Sequence, residues 1–173
     1  MRRILITAGL ILFTITSFSQ EKVKWYTIEE AQELNKKEPK KFIIDVYTDW
    51  CGWCKKMDQT TFGNPAIAGY LNKYYYPVKF NAESKNSIIF AGKEYVNAGG
   101  NRQPHNFAVA LLQGKMSYPS IAYLNEKLQL LSAVPGYYTP DRIEPILVYF
   151  AENIYQTTSW QDFSDKFESK ILK

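Results

Sequence analysis

Cysteine and histidine are scarce in this 173-residue chain, with two of the first and one of the second. A tetrahedral zinc site takes four ligands, and Cys51, Cys54 and the distant His105 do not supply them. No metal is expected. A lone loop histidine is ordinarily solvated, so His105 is expected to carry no role. The two cysteines stand only three positions apart. A disulfide stabilises mainly by closing a long loop, so a staple explains this pair poorly and chemistry explains it better. Charge of one sign is lacking as well. The formal balance is +4, and it falls to +2 if Arg2 and Arg3 leave with an N-terminal leader. Without a basic run to track a phosphate backbone, nucleic acid is not an expected partner.

What is abundant is aromatic material: 16% of residues, thirteen of them Tyr, within an apolar fraction of 46%. The length argues for one domain with a modest insertion. At the N-terminus Met1-Arg2-Arg3 is basic, and Ile4 to Ile15 is apolar apart from Thr7, Gly9 and Thr14. Ser17 and Ser19 then supply small residues for a cut before Gln20. This layout predicts a signal peptide over 1–19 and an exported, periplasmic domain over 20–173. The apolar run is too short to span a bilayer comfortably, and no Cys lies near the cut to carry a lipid. Disulfides persist in such a compartment.

Along the mature chain, Thr27-Ile28-Glu29-Glu30 reads as a capping box opening a helix that fails in the Lys36–Lys41 run, expected to be a solvated loop. Phe42 to Tyr47 reads as a buried strand interrupted by one polar residue, Asp45, and a helix is expected to start at Cys51. Asn64-Pro65 opens a second helix, and Tyr76 to Asn81 forms a second strand. A small hairpin turning at Ala91-Gly92-Lys93 follows, then a helix over Phe107–Gln113 ended by Gly114. Ser120–Leu124 and Leu128–Ala133 are expected to pair as a hairpin. A helix near Pro140 has Pro145 close to its start, which predicts an irregular first turn. Ser159 is placed to cap a last helix over 159–171. The order predicts an α/β fold: a central mixed sheet, its first two strands parallel, with helices on both faces.

Cys51 would sit where unpaired helical amides and the helix dipole stabilise a thiolate, which makes it the nucleophile. Cys54, about one turn further, can attack a mixed disulfide at Cys51 and release the substrate. The pair can cycle between dithiol and disulfide. At this point FIIDVYTDWCGWCKKM resembles the strand, turn and helix around the active site of the thioredoxin superfamily. The resemblance continues through PVKFNAE and YPSIAYLNEKLQLLSAVPGYY, covering Val23 to Tyr155 with 87–113 as a hairpin-plus-helix insertion. It implies the thioredoxin fold, a buried acid at Asp45, and a partner lysine at Lys79. It also implies a cis-proline at Tyr118-Pro119 facing the dithiol, and a glycine beside it at Gly136. A carboxylate within an apolar strand is costly unless it has a partner or a task. Burial would raise its proton affinity, so Asp45 could exchange a proton with Cys54. The backbone edge before a cis-proline can pair with an extended substrate segment.

The dipeptide Gly52-Trp53 departs from the Gly-Pro usual in thioredoxins and lacks the His usual in strong oxidases and isomerases. Lys55 and Lys56 add positive potential. The pattern is similar to periplasmic thioredoxin-like reductases and to C-terminal domains of transmembrane electron-transfer proteins. The expected function is therefore reduction or exchange of disulfides in other exported proteins by a monomer without cofactor, re-reduced by a membrane electron donor. Trp50 and Trp53 would form a docking rim, although Trp50 could equally pack over the site. The alternatives are a disulfide oxidase or isomerase with the same site, or a non-catalytic Cu(I)-binding or peptide-binding protein, since a soft dithiolate can hold Cu(I).

Overall fold

A computed structural model describes residues 21–97 and 99–173. The leader expected over 1–19 lies outside the described residues. The centre of the fold is β1, Lys41–Tyr47, buried along almost its whole length. Its β-branched and aromatic side chains suit a strand covered on both faces. Side chains alternate across a strand, so Phe42, Ile44 and Val46 enter one core while Ile43 and Asp45 face the other. β2, Tyr75–Asn81, runs parallel to β1 in a register that sets Asp45 opposite Lys79. On the other side β1 pairs antiparallel with a later strand, Ser120–Leu124, which pairs antiparallel with Leu130–Pro135. Between β2 and these two lies a separate hairpin, β3 (Ile88–Phe90) with β4 (Lys93–Tyr95), so the later strands are β5 and β6. The central sheet has the order β2-β1-β5-β6.

Helices cover both faces, as the strand pattern required. Helix α1, Ile28–Lys37, starts at the capping box, with Thr27 and Glu30 bonded reciprocally. Helix α2, Gly52–Met57, continues into a wide π-helical turn, Asp58–Phe62. Helix α3, Pro65–Tyr74, is capped by the Asn64 side chain, which accepts from the Ala66 and Ile67 amides. Helix α4 spans Asn106–Leu111, α5 Pro140–Ala151 and α6 Trp160–Ser164. One core joins α1, α4 and the hairpin to Phe42, Val78 and Ala122. The other joins Met57, Phe62, α3 and α5 to Ile43, Ile121 and Tyr123. Hairpin β3–β4 turns through Ala91 (φ 50°) and Gly92 (φ 77°), the pair of positive φ angles that matches strand twist. It is tied to α1 by Gln32, whose amide donates to the Ile89 carbonyl and accepts from the Ala91 amide.

Several local expectations are corrected. β6 begins at Leu130 rather than Leu128, because Leu128 (φ 62°) belongs to a tight turn. The Asn125 side chain closes that turn by accepting from the Lys127 and Gln129 amides. Ser159 does cap α6, but that helix ends at Ser164 rather than running over 159–171. Beyond it the buried Glu144 carboxylate accepts from the Lys170 and Ile171 amides and the Ser169 hydroxyl. Those amides, in a longer helix, would have gone to backbone carbonyls. The helix over Phe107–Gln113 stops at Leu111, with Gln113 and Gly114 both at positive φ. Pro145 lies inside a continuous α5 and leaves its first turn regular. Lys41, placed in a solvated loop, is instead buried at the head of β1, its ammonium 2.6 Å from Glu126. His105 is buried as well. It caps α4, with Nδ1 accepting from the Phe107 amide at 3.0 Å and Nε2 donating to the Asn86 carbonyl at 3.0 Å. Burial lowers its proton affinity, and the ring serves structure.

Candidate active site around the Cys51–Cys54 pair

β1 ends where the chain turns back, the Cys51 amide donating to the Thr48 carbonyl at 3.1 Å. That turn delivers Cys51 to the N-cap of α2, where its sulfur accepts from the Cys54 amide at 3.0 Å. The two sulfurs are joined in a disulfide. Both cysteines are buried, Cys51 at 5% exposure and Cys54 at 2%, so Cys51 is the slightly more accessible of the two. An attacking or leaving thiolate at Cys51 would find an amide donor already aimed at it.

The peptide Tyr118–Pro119 is cis, as the resemblance implied. Its proline carbonyl accepts from the Gly136 amide at 2.8 Å. Gly136 has φ 102°, a conformation side-chain-bearing residues rarely adopt, although an added Cβ would meet nothing within 4 Å. The glycine is required there by backbone conformation rather than by space. Trp50 and Trp53, flanking the disulfide, are 57% and 62% exposed. The Trp50 ring stands edge-on to Tyr118 with centroids 6.0 Å apart, and its indole N–H donates to Glu83 at 3.0 Å. Trp53 tilts over Tyr137, 5.3 Å away. The Tyr137 hydroxyl in turn lies 3.0 Å from that of Thr60. Each indole thus links the disulfide to one of the two loops carrying Pro119 and Gly136. Sequence reasoning passed over Glu83, Tyr137 and Thr60; of these only Tyr137 carried a signal, its position directly after Gly136.

On β1, Asp45 is buried to 1% exposure. One carboxylate oxygen accepts from the Lys79 ammonium at 3.1 Å, and the other has no partner among the described residues. Burial pushes its pKa up to about 6, against the lowering pull of Lys79; the negative charge of Asp58 adds to the rise. Lys79 also pairs with Asp58, the first residue after α2. Burial alone would lower its proton affinity, but the two carboxylates outweigh that and raise it. The Lys79 ammonium also lies over the rings of Trp25 and Tyr47, whose centres are 5.1 and 5.0 Å from Nζ. The structure therefore assembles two clusters. Cys51, Cys54, Trp50, Trp53, Tyr118, Pro119 and Gly136 make the outer one, while Asp45, Lys79 and the unforeseen Asp58 make the inner one.

A fold of this topology with a Cys-x-x-Cys disulfide heading the helix after its first central strand defines a class, the thioredoxin-like thiol–disulfide oxidoreductases. The family profile for a thioredoxin-like domain matches residues 28–151. The chain belongs to the thioredoxin-like family. Over 55 residues it is 36% identical to the thiol:disulfide interchange protein DsbD of Vibrio vulnificus strain CMCP6, a match covering 30% of this chain and 9% of that protein. A DsbD of Pectobacterium atrosepticum is 32% identical over 56 residues, 31% of this chain and 10% of the relative. The matches thus span about a tenth of these relatives' length. Among solved structures, the DsbH oxidoreductase is similar with a TM-score of 0.56 at 16% identity, covering 84% of this chain and 95% of that one. A putative disulphide-isomerase from Bacteroides thetaiotaomicron gives 0.53 at 18% identity, with 75% and 94% covered. These likenesses show the fold.

Proposed function

We propose that this protein is an exported, periplasmic disulfide reductase, acting as a monomer on disulfide-containing or unfolded exported proteins. The observation that carries the reading is a disulfide at the head of α2, flanked by the exposed indoles of Trp50 and Trp53, in a fold that also buries Asp45 with one carboxylate oxygen lacking a partner among the described residues. In the reduced protein the Cys51 thiolate attacks a substrate disulfide. One substrate sulfur leaves as a thiolate, and the other is bonded to Cys51. Cys54 gives its proton to Asp45 and attacks Cys51, forming the internal disulfide and expelling the second substrate sulfur. Two electrons pass to the substrate. Tyr118 and Pro119 offer a backbone edge to the substrate strand, and Trp50 and Trp53 flank it with apolar surface. Lys79 holds Asp45 in place, and no organic cofactor or metal enters the cycle.

The spent disulfide must be re-reduced outside the cytoplasm by two electrons delivered through a membrane donor. The matches to DsbD, a thiol:disulfide interchange protein, favour a membrane dithiol donor of that class. The reductase direction is favoured by Gly52-Trp53, which places no imidazole beside Cys51 to stabilise its thiolate. The test is the reduction potential of residues 20–173 equilibrated against glutathione, with Cys51→Ser as control. A value near about −270 mV supports a reductase, and one near about −120 mV identifies an oxidase instead. A pair that never cycles, or that binds Cu(I) stoichiometrically without reducing insulin, turns the reading to a binding protein.

A further inference from the structure

The Lys79 ammonium lies between two carboxylates, Asp45 on β1 and Asp58 at the end of α2. Only the first is buried; the Asp58 side chain is 38% exposed. Asp58 and Lys79 line a cleft of about 550 Å³ together with Trp25, Phe62, Gly63 and Lys22. None of the residues of the outer cluster lines it, so a substrate seated on Trp50, Trp53 and Pro119 leaves it open. Asp58 is the first residue of the wide turn Asp58–Phe62, just past the cysteine-bearing helix. On its β5 side Asp45 pairs with the apolar Ile121, and among the described residues the charges that act on it are those of Lys79 and Asp58. The Cys54 thiol of the reduced protein is the titratable group that exchanges its proton with Asp45 in the reading above, and at the end of β1 Tyr47 is held in its phenol form by burial and by Asp49.

We infer that Asp58 is a positioning residue of the exchange reaction: by sharing the Lys79 ammonium with Asp45 at the head of this cleft, it sets how tightly the buried acid holds the proton it takes from Cys54. The inference rests on the reductase reading above. With Asp45 ionised, Lys79 serves both carboxylates. Once Asp45 has taken the proton, Lys79 keeps a charged partner in Asp58 and stays in place. The cation is then available again when Asp45 releases the proton, so the inner cluster resets without unpairing a buried charge. Removing Asp58 leaves Lys79 to Asp45 alone and removes a like charge, and both changes favour the carboxylate.

The test is the titration of the Asp45 carboxyl carbon, followed by NMR in the oxidised protein, for wild type, Asp58→Asn, Lys79→Met and the double variant. In Asp58→Asn the midpoint is expected to fall below the wild-type value of about 6, while Lys79→Met raises it. In the Lys79→Met background the effect of Asp58→Asn is expected to shrink. An unchanged midpoint in Asp58→Asn overturns the inference. An equal fall with and without Lys79 also overturns it, because the charge would then act without sharing the cation. Insulin reduction by the same proteins reads the underlying function separately, and its acid limb is expected to move to lower pH in Asp58→Asn. A wild-type protein that leaves insulin unreduced removes the reductase reading, while the titration still decides whether Asp58 governs Asp45.

Discussion

Trp53, between the two cysteines, lies over Tyr137, the residue after Gly136, with ring centres 5.3 Å apart. The contact couples the exposed dipeptide of the redox motif to the loop that closes the site. An indole that is 62% exposed yet held on one face is a preorganised apolar surface. Trp53→Ala is expected to raise KM for insulin or a disulfide-bonded peptide by about tenfold, in line with the roughly 1.4 kcal/mol an exposed aromatic anchor can carry. Reduction of a small linear disulfide such as oxidised glutathione should change little. Equal losses on both substrates would place Trp53 in the chemistry rather than in docking.

The roles of the two sulfurs separate by trapping. Cys54→Ser removes the resolving thiol, so Cys51 should accumulate as a mixed disulfide with substrate, visible on non-reducing gels and by mass spectrometry. Cys51→Ser should form none. The burial of Cys54 at 2% supports this order of attack, since a large substrate reaches Cys51 first.

Asp45 contributes in opposite senses to stability and to catalysis. Its folded-state pKa is raised from 3.8 to about 6, so the folded protein binds this proton more tightly than the unfolded chain does. Stability from this group is therefore greatest below about 3.8 and is lost as pH rises through about 6. At pH 7 the ionised form costs on the order of 3 kcal/mol. Asp45→Asn should raise the thermal midpoint at pH 7 and flatten its dependence between these values. The same variant should slow disulfide exchange by about 10²-fold, the lower end for loss of a positioned proton carrier. A lowered midpoint at pH 7 would contradict the balance between burial and Lys79 described above.

Gly136 presents a cleaner case. An added methyl group would meet nothing, and only φ 102° stands against it. Gly136→Ala should cost roughly 1–3 kcal/mol in denaturant unfolding through backbone strain. It should also weaken the 2.8 Å bond from this amide to the Pro119 carbonyl, with a corresponding loss of insulin reduction. A variant as stable as wild type would show that the loop relaxes freely.

Much of this was legible before any coordinates. The capping box at Thr27, the buried run of β1 and the Asn64-Pro65 helix start are local signals, each written within a few residues, and they appear where expected. Errors gathered where a distant group decides the outcome. Ser159 announces a helix that ends at Ser164, and Glu144, on another element, takes the Lys170 and Ile171 amides that a helix over 159–171 would have used. His105 reads as a loop residue, yet Asn86 and Phe80 enclose it. Lys41 ends a charged run, yet it lies buried against Glu126 on the β5–β6 turn.

The sequence by itself determined the redox pair, its place after a buried strand, and the lone acid within that strand, because spacing and hydrophobic pattern are properties of short segments. Tertiary structure alone decided that Lys79 answers to two carboxylates and that Trp53 rests on Tyr137. It also decided that one oxygen of Asp45 has no partner among the described residues. Each of these depends on where separate elements cross. A carboxylate's proton affinity is set by what lies within a few ångströms of it, and chain order does not state that distance.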